Sequence, residues 1–394
     1  MDVWILDKNL HKVGIIDAFK SFLWVDKYND VGECELYIPV TKYLFDLLLM
    51  GAYIKRSDRD NPCVIRKKEM KTDVQNGDFL IVEGKSGTSF LDQRIVWDTT
   101  TINGSLEAGL LNMVDTALGS TATSDRQLKR ANNTRLFYVE SPALTTVNVN
   151  EQISYKNLGA VVRDRCALNN WGYRVRLNND RLNFGFYKGT DRSSTVIFAT
   201  KYDNLKSSDY KEDLKNYRNI TLVAGEGEGA ARRKVTVGSG SGTERYELFT
   251  DAKDLSRTIT YGELTTAYPN GTIAPDGQMQ HYYYIALPST EIIAEVYSNN
   301  PASSDEVTLS LNYYDSYLRA RGNDALAEHT EVKYFDASIA MNANFKYNTN
   351  YFLGDIVRIE NQYGIGAKAR ITEVVEAWDR NGYSIEPKLE YISD

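Results

Sequence analysis

The clearest pattern of apolar and polar positions lies near the end of the chain, over residues 351–391. Residues 356–360 predict a strand in which Val357 and Ile359 share one face and Ile356 and Arg358 share the other. Turn-forming residues then separate further elements: a loop at 361–366, a strand at 367–376, a turn at Asn381-Gly382 and a strand at 383–387. A meander of this size cannot bury its inner face alone, so its partner strands must come from elsewhere in the chain.

Residues 1–97 predict a small β-barrel domain. Six or seven short stretches of β-forming residues follow one another there, and in the fourth Cys34, Leu36 and Ile38 share one face. Asn76-Gly77 predicts a tight hairpin late in this region. Thr41 is placed to cap one short helix between the strands.

Residues 98–205 predict an α+β domain. Ser105 is placed to cap a helix with an apolar stripe, and Gly119 is placed to end it. A second helix is predicted to begin near Tyr155, followed by a hairpin that turns at residues 178–180. Helices packed on a small antiparallel sheet are the expected arrangement.

Strands return in residues 206–255 and again in 331–394, with residues 256–330 between them. The intervening part is rich in tyrosine and predicts a small inserted domain with a helix. The simplest topology joins the strands at 219–250 with the terminal meander into a second β-barrel. The predicted fold class is mainly β with α+β, comprising two small β-barrel domains, an α+β domain and an inserted small domain.

Composition narrows the function classes. The chain has 27 Tyr against 13 Phe, which suits both β-strands and large, partly wet contact surfaces. A net charge of −7 argues against a protein that grips nucleic-acid phosphates. The three cysteines, Cys34, Cys63 and Cys166, are too far apart for a disulfide framework, which favours synthesis in a reducing cytoplasm. The sequence predicts neither a signal peptide nor a membrane helix.

Motifs for catalysis, cofactors or metals are not found, so no catalytic, cofactor-binding or metal-binding residue is predicted. His11, His281 and His329 are scattered and do not form a zinc-binding helix. Residues 225–229, Gly-Glu-Gly-Glu-Gly, lack the spacing of a dinucleotide fingerprint and predict a hairpin loop. The basic residues of 120–135 predict a solvated loop, the alternative being a contact for an acidic partner. We therefore do not expect an enzyme.

Aromatic residues leave one other function open. Trp97, Trp171, Trp378 and the run Tyr282–Tyr284 are of the type that stacks on sugar rings, although strand or core packing is the commoner role. A host-surface carbohydrate-binding module is therefore the main alternative, and a cell-wall hydrolase is a third one.

Eight segments occur in a characteristic order and spacing: Ile5–Asp7, Val31–Pro39, Gly84–Arg94, Tyr217–Gly225, Arg245–Leu255, Leu318–Gly322, Leu326-Ala327 and Tyr351–Val357. In these segments the chain resembles the baseplate hub, or tail-associated, proteins of long-tailed phages, above all siphophages. The resemblance covers almost the whole chain and is weakest in the tyrosine-rich residues 256–300.

The resemblance implies a structural virion protein of the phage tail tip, made in the bacterial cytoplasm. It implies a hub that closes the distal end of the tail tube and opens for DNA passage, or the equivalent hub of a phage-tail-like bacteriocin. It also implies a homotrimer whose six barrels form a pseudo-sixfold ring. The implied partners are the distal tail ring protein, the tape-measure protein and a tail fibre or receptor-binding protein, with no specific nucleic-acid binding and no membrane.

Two further expectations follow from the resemblance. Because the chain stops at Asp394, directly after the meander, the wall-degrading activity of larger relatives is expected on another protein. The acidic balance also suits a passage that does not hold DNA, since it repels phosphate.

Overall fold

The computed structural model describes residues 1–73, 77–145, 147–277, 281–339, 344–364 and 366–392. Strands dominate these ranges, and the first 97 residues contribute seven strands and one α-helix. They are β1 (Val3–Leu6), β2 (Lys12–Ile16), β3 (Ser21–Lys27), β4 (Glu33–Pro39), α1 (Lys42–Leu47), β5 (Tyr53–Arg56), β6 (Cys63–Asp73) and β7 (Gly77–Ser86).

Local sequence signals in this first part are confirmed. Thr41 caps α1, because its Oγ1 accepts a hydrogen bond from the amide of Leu44. β6 and β7 form the predicted hairpin, in which Asp73 pairs with Gly77; Asn76 of the predicted turn lies outside the described residues.

Helices and short sheets follow in residues 98–205. The elements are β8 (Thr100–Ser105), α2 (Leu106–Leu118), β9 (Phe137–Val139), β10 (Asn148–Ile153), α3 (Leu158–Asn169), β11 (Gly172–Asn178), β12 (Arg181–Tyr187) and β13 (Ile197–Ala199). Ser105 caps α2 as predicted, while α3 begins at Leu158 with Asn157 as its cap, a little after the predicted start. The β11–β12 hairpin is confirmed. The helices and this hairpin share one large apolar core.

The next part of the chain carries many short strands. They and their helices are β14 (Leu205–Asp213), β15 (Ile220–Ala224), β16 (Lys234–Gly238), β17 (Glu247–Asp251), β18 (Thr258–Thr260), α4 (Tyr261–Ala267), β19 (Thr272–Pro275), β20 (Tyr282–Ile285), β21 (Ile292–Val296), β22 (Glu306–Leu309) and α5 (Leu311–Ala327). The last described elements are β23 (Val332–Ile339), β24 (Ile356–Glu360), β25 (Gly366–Asp379) and β26 (Gly382–Ile392).

The prediction that the strands at 219–250 complete the terminal meander is wrong. β15, β16 and β17 form a separate three-stranded sheet, and their Val223, Val235 and Val237 pack in the core that also holds α5. The meander pairs instead with β3, through β25, and with β23, through β26. These short strands pack on α5 instead, and their sheet forms no backbone pairing with the described strands of the meander.

The two predicted barrels are replaced by one continuous sheet. Thirteen strands belong to it, in the order β14-β23-β26-β25-β3-β4-β7-β6-β5-β1-β2, with β24 paired to β25 and β13 paired to β24. Within the described part of the chain, these pairings close no barrel. The mainly β class with additional helices is confirmed, while the N-terminal and C-terminal strands share a sheet because β25 pairs with β3.

Eight consecutive strands of this sheet form two units with the same topology. Unit 1 consists of β3, β4, β6 and β7, in the spatial order β6-β7-β4-β3; unit 2 consists of β14, β23, β25 and β26, in the order β25-β26-β23-β14. In both, a strand pair is followed along the chain by a long hairpin. The first strand of each hairpin has a bulge at the same place, Arg66 in β6 and Thr372 in β25. The sheet therefore contains an internal repeat.

The inserted residues contact the α2–α3 region through polar side chains. Arg165 of α3 binds Glu151 at 2.7 Å and Asp324 of α5 at 2.9 Å. Burial raises the pKa of Asp324 to about 6, although the Arg165 guanidinium opposes this effect. Tyr313 of α5 also donates a hydrogen bond to Asn150, at 2.9 Å. These contacts hold α5 against β10 and α3.

Candidate functional site

One face of the two units carries mostly charged side chains, with a few apolar ones such as the buried Val25 and Phe79 among them, and we call it the wet face. Residues directly opposite in register share a face of a sheet, so the pairings identify its members. Its charged members include Lys27, Glu33, Glu35, Lys67, Glu69, Lys71, Glu83, Lys85, Asp209, Lys211, Asp213, Glu373, Glu386, Lys388 and Glu390. The opposite face is apolar and packs on the protein core, with Phe22, Trp24 and Leu36 fully buried.

Lysines and carboxylates alternate across neighbouring strands of the wet face. Lys67 binds Glu83 at 2.6 Å, and Lys388 binds Glu373 at 2.8 Å. Lys85 binds Glu33, and this hydrogen bond holds the pKa of Glu33 below its usual range. A cation that is already paired with a carboxylate has little attraction left for a phosphate. The wet face is therefore hydrophilic without being an anion-binding surface.

The two units differ in how their edges are used. In β25, residues 366–370 pair with β24 and residues 373–378 pair with β3, so both parts of its outer edge are occupied. In β6, only Cys63 and Val64 pair with β5. Beyond the bulge, residues 67–73 of β6 pair with β7 on one side and with none of the described strands on the other. β14 lies at one end of the whole strand order.

A buried ion pair joins the first part of the chain to the last at the boundary of the units. Arg56 in β5 and Glu376 in β25 are 1% and 2% exposed, and Arg56 Nη1 lies 2.7 Å from Glu376 Oε2. Arg59 binds the same carboxylate at 2.8 Å, and Asp58 binds Arg56 from the other side. Arg56 also lies over the ring of Trp378, at 4.5 Å. Two buried charges are tolerated here because each has several partners.

Asp26 is buried beside this pair. Trp24 Nε1 and Asn61 Nδ2 donate hydrogen bonds to Asp26, at 2.9 Å and 2.8 Å. Burial nevertheless raises the pKa of Asp26, because these hydrogen bonds and Arg59 do not fully replace water. The group ties β3 to the loop after β5.

A cavity of about 370 Å³ lies next to these residues, between β3, the β11–β12 hairpin and residues 347–355. Two of its charged side chains are paired: Arg192 binds Asp355 at 2.6 Å, and Asp355 accepts a further hydrogen bond from the amide of Thr190. Gly354 has φ +90°, and a Cβ there would lie 2.2 Å from the ring of Tyr28. The turn at residues 354–355 thus closes the fold over Tyr28.

The aromatic residues singled out as sugar-stacking candidates do not form one platform. Trp171 and Tyr284 are buried in two different cores, and Trp378 stacks on Phe22. Trp97 is 62% exposed and lies against Arg126. The structure therefore gives Trp171, Tyr284 and Trp378 packing roles in separate parts of the molecule and leaves Trp97 on the surface.

The histidines and the basic loop are also dispersed. His281 faces Asp276, at 2.9 Å, and His329 Nδ1 lies 2.8 Å from the carbonyl of Ala325. In the basic loop, Arg130 donates to the carbonyl of Asn9, so it holds the fold together. No group of three or more His, Cys, Asp or Glu suitable for a metal ion occurs among the described residues. Nor does any helix in those residues have the length and apolarity needed to cross a membrane.

The fold is that of phage tail proteins. The tail protein from Neisseria meningitidis MC58 matches with a TM-score of 0.53 at 10% identity, over 99% of this chain and 96% of the other. The 43 kDa tail protein of prophage MuSo2 from Shewanella oneidensis matches with a TM-score of 0.54 at 7% identity, over 99% and 98%. Prophage tail protein gp18 from Listeria monocytogenes EGD-e gives 0.50 at 13% identity, over 99% and 94%.

Family membership follows from the sequence itself. Residues 2–389 match the family described as siphovirus ReqiPepy6 Gp37-like protein, and the chain belongs to that family. A search of curated proteins finds no match. Family and fold together make the chain a structural protein of a phage tail.

Proposed function

We propose that this protein is the subunit of a baseplate hub, a ring that closes the distal end of a phage tail tube and opens for DNA passage. The observation that carries the proposal is the repeated four-stranded unit. Unit 1 and unit 2 are joined within one sheet, and an edge suitable for further pairing remains at each end, on β6 and on β14. A subunit with an open strand edge at each end of its repeat can contact one copy at one end and another copy at the other end. Such head-to-tail contacts build a closed ring when the rotation between copies fits.

The chemistry of the two faces of the sheet indicates which face lies inside the ring. The apolar face carries the cores and helices of the rest of the chain, so it needs the larger space outside a ring. The wet face carries mostly charged side chains and fits the inside. In this arrangement the wet face lines the bore.

Charge on the wet face fits DNA passage. Its lysines are accompanied by a larger number of carboxylates, and several are bound to them directly, as Lys67 is to Glu83. Such a surface releases no counterions from DNA and gives it no sequence-independent hold. DNA would therefore slide through the bore without binding.

Three copies are the expected number, since two units per chain then give six units to match a sixfold tail ring. The proposed partners are the distal tail ring protein above the hub, the tape-measure protein within the tube, and a tail fibre or receptor-binding protein. The virion tail tip is the proposed location.

The test is to measure the mass of the purified chain by light scattering, alone and with the purified distal tail ring protein. The expected result is a species of three times 44.6 kDa that binds the tail ring and shows a central hole in electron micrographs. A chain that stays monomeric in the presence of the tail ring, or that binds a glycan array and no tail ring, would contradict the proposal.

A further inference from the structure

We propose that copies of this chain join by β-pairing: β14 of one copy pairs antiparallel with residues 67–72 of β6 in a second copy. The register is the one that β3 and β25 use within the chain. The inference deepens the proposed hub function by naming its assembly surface and partner, a second copy. It starts from the internal repeat, in which β3 and β14 are equivalent strands, as are β25 and β6.

The hairpins give the residue equivalence for β6 and β25. Their turns begin at Asp73 and Asp379, and their bulges lie at Arg66 and Thr372. Turn and bulge are equally far apart in the two strands, so the whole segment between them corresponds residue by residue. By this alignment, Met70 of β6 corresponds to Glu376 of β25.

The strand pairs give the equivalence for β3 and β14. Trp24 pairs with Cys34, and Cys34 pairs with Gly84 in the second strand of its hairpin. Following the same route in unit 2, Tyr210 pairs with Phe335, which pairs with Leu389. Gly84 and Leu389 lie equally far beyond Gly77 and Gly382, where their strands begin. Tyr210 of β14 therefore corresponds to Trp24 of β3.

The register between two copies now follows. Trp24 pairs with Glu376 within the chain, so Tyr210 of one copy is placed opposite Met70 of the next. Antiparallel pairing then fixes the neighbouring pairs: Lys67 with Asp213, Lys68 with Glu212, Glu69 with Lys211, and Lys71 with Asp209.

Each charged pair in this register combines opposite signs. Directly opposite charges stabilise a strand pair and like charges destabilise it. A slip of two residues in one direction brings Lys67 opposite Lys211, and in the other direction it brings Lys71 opposite Lys211. A slip of one residue places the two wet faces on opposite sides of the sheet. The charges thus select the register that the internal repeat predicts.

The exposure of the side chains on β6 and β14, and an equivalent ion pair inside the chain, agree with this interface. Lys67, Met70 and Lys71 are exposed on β6, as are Asp209 and Lys211 on β14. An ion pair at the equivalent position already exists between β3 and β25 of one chain, where Lys27 lies 3.7 Å from Glu373. The corresponding pair between copies is Asp213 with Lys67, with the signs exchanged.

A charge swap tests the interface. We expect Lys71→Glu and Asp209→Lys each to weaken assembly about ten-fold, because each places like charges opposite one another at every interface of the ring. The two changes in one chain should restore assembly. Assembly is measured by light scattering over a dilution series, and thermal unfolding shows that each variant is folded. Lys253→Glu, which reverses an exposed charge outside the sheet, is the matched control and should have no effect.

Cross-linking tests the register. Cysteines replacing Met70 and Tyr210 should form an intermolecular disulfide under oxidation, whereas cysteines at Met70 and Lys211 should not, because those two positions face opposite sides. The native Cys34, Cys63 and Cys166 are all buried and do not compete.

The outcomes separate this inference from the proposed function. A trimer that forms normally, but without rescue by the charge swap and without the Met70–Tyr210 disulfide, would overturn the pairing and leave the hub intact. If the cysteine variants instead cross-linked to a different tail protein, the strand edges of β6 and β14 would bind that protein and not a second copy, which would also overturn the pairing. Absence of any ring would count against the hub itself. Rescue together with the predicted disulfide would support the interface.

Discussion

Arg56 shows how single residues hold the large sheet together. It is a fully buried cation in a short strand, and its main partner, Glu376, lies 320 positions further along the chain. Nothing in the local sequence marks either residue, because both stand among ordinary strand residues. The pair was therefore beyond prediction from the sequence, although it fixes the two ends of the chain to each other.

We predict that Arg56→Met lowers the free energy of unfolding by about 3 kcal/mol, because it leaves the buried Glu376 carboxylate with Arg59 as its remaining cation. The midpoint of urea unfolding measures the change. Lys42→Met is the matched control: it removes the exposed pair with Asp46 and should cost less than about 0.5 kcal/mol. Equal effects of the two substitutions would refute a structural role for the buried pair.

Asp324 provides a pH-dependent test at the same scale. Burial raises its pKa to about 6, so the folded protein holds this proton more tightly than the unfolded chain. Wild-type stability should therefore fall as pH rises from about 4 to about 6. The side chain of Asp324→Asn does not titrate. The free energy of unfolding of this variant, relative to wild type, should therefore increase by about 1–3 kcal/mol between pH 4 and pH 6.

Melting temperatures of the two chains at several pH values measure this difference. Asp46→Asn, on the exposed side of α1, is the control and should run parallel to wild type. Parallel curves for Asp324→Asn as well would mean that the carboxyl titrates normally in the fold.

At the scale of elements, the sequence predicted what local chemistry decides. Thr41, Ser105 and the Asn381-Gly382 turn act as expected, because caps and tight turns depend on a few adjacent residues. Helix α5 was also predicted, from its apolar spacing. The turn within residues 361–366 is only partly tested, since Ile365 lies outside the described residues.

β14 shows where local patterns fail. Its sequence, Leu205-Lys-Ser-Ser-Asp-Tyr-Lys-Glu-Asp213, has no alternation of apolar and polar residues, so periodicity gives no strand signal. The strand is held by pairing with β23, and its exposed charges suit an edge. Without β14, the strands at 219–250 appeared to be the only partners for the meander, which led to the wrong pairing.

The central position of β25 and β26 leads to a prediction about truncation. A chain ending at residue 350 loses the strands that lie between β3 and β23. We expect the two units to separate, with loss of the cooperative unfolding transition and of ring formation. Circular dichroism during heating, together with size-exclusion chromatography, measures both effects. A truncated chain that still assembled would contradict the continuous sheet.

At the scale of the whole molecule, the repeat sets the size of the proposed bore. Eight strands per chain in three chains, spaced by about 4.8 Å, make a ring of strands with a radius of roughly 20–25 Å at ordinary strand tilts. Wet-face side chains reduce the free width to roughly 35 Å. A DNA double helix passes through a hole of that width, and an extended peptide chain has ample room.

The connection between the first two strands differs greatly in length between the two units. In unit 1, β3 and β4 are joined by residues 28–32, whereas the equivalent strands β14 and β23 are separated by residues 214–331. One ancestral four-stranded unit, duplicated in tandem, accounts for both halves if a later segment entered the second copy at this turn. The strand order is the same in both units although the two connections differ greatly in length, so this connection accommodates a large segment. A binding module of another tail could replace residues 214–331 there while the bore kept its shape.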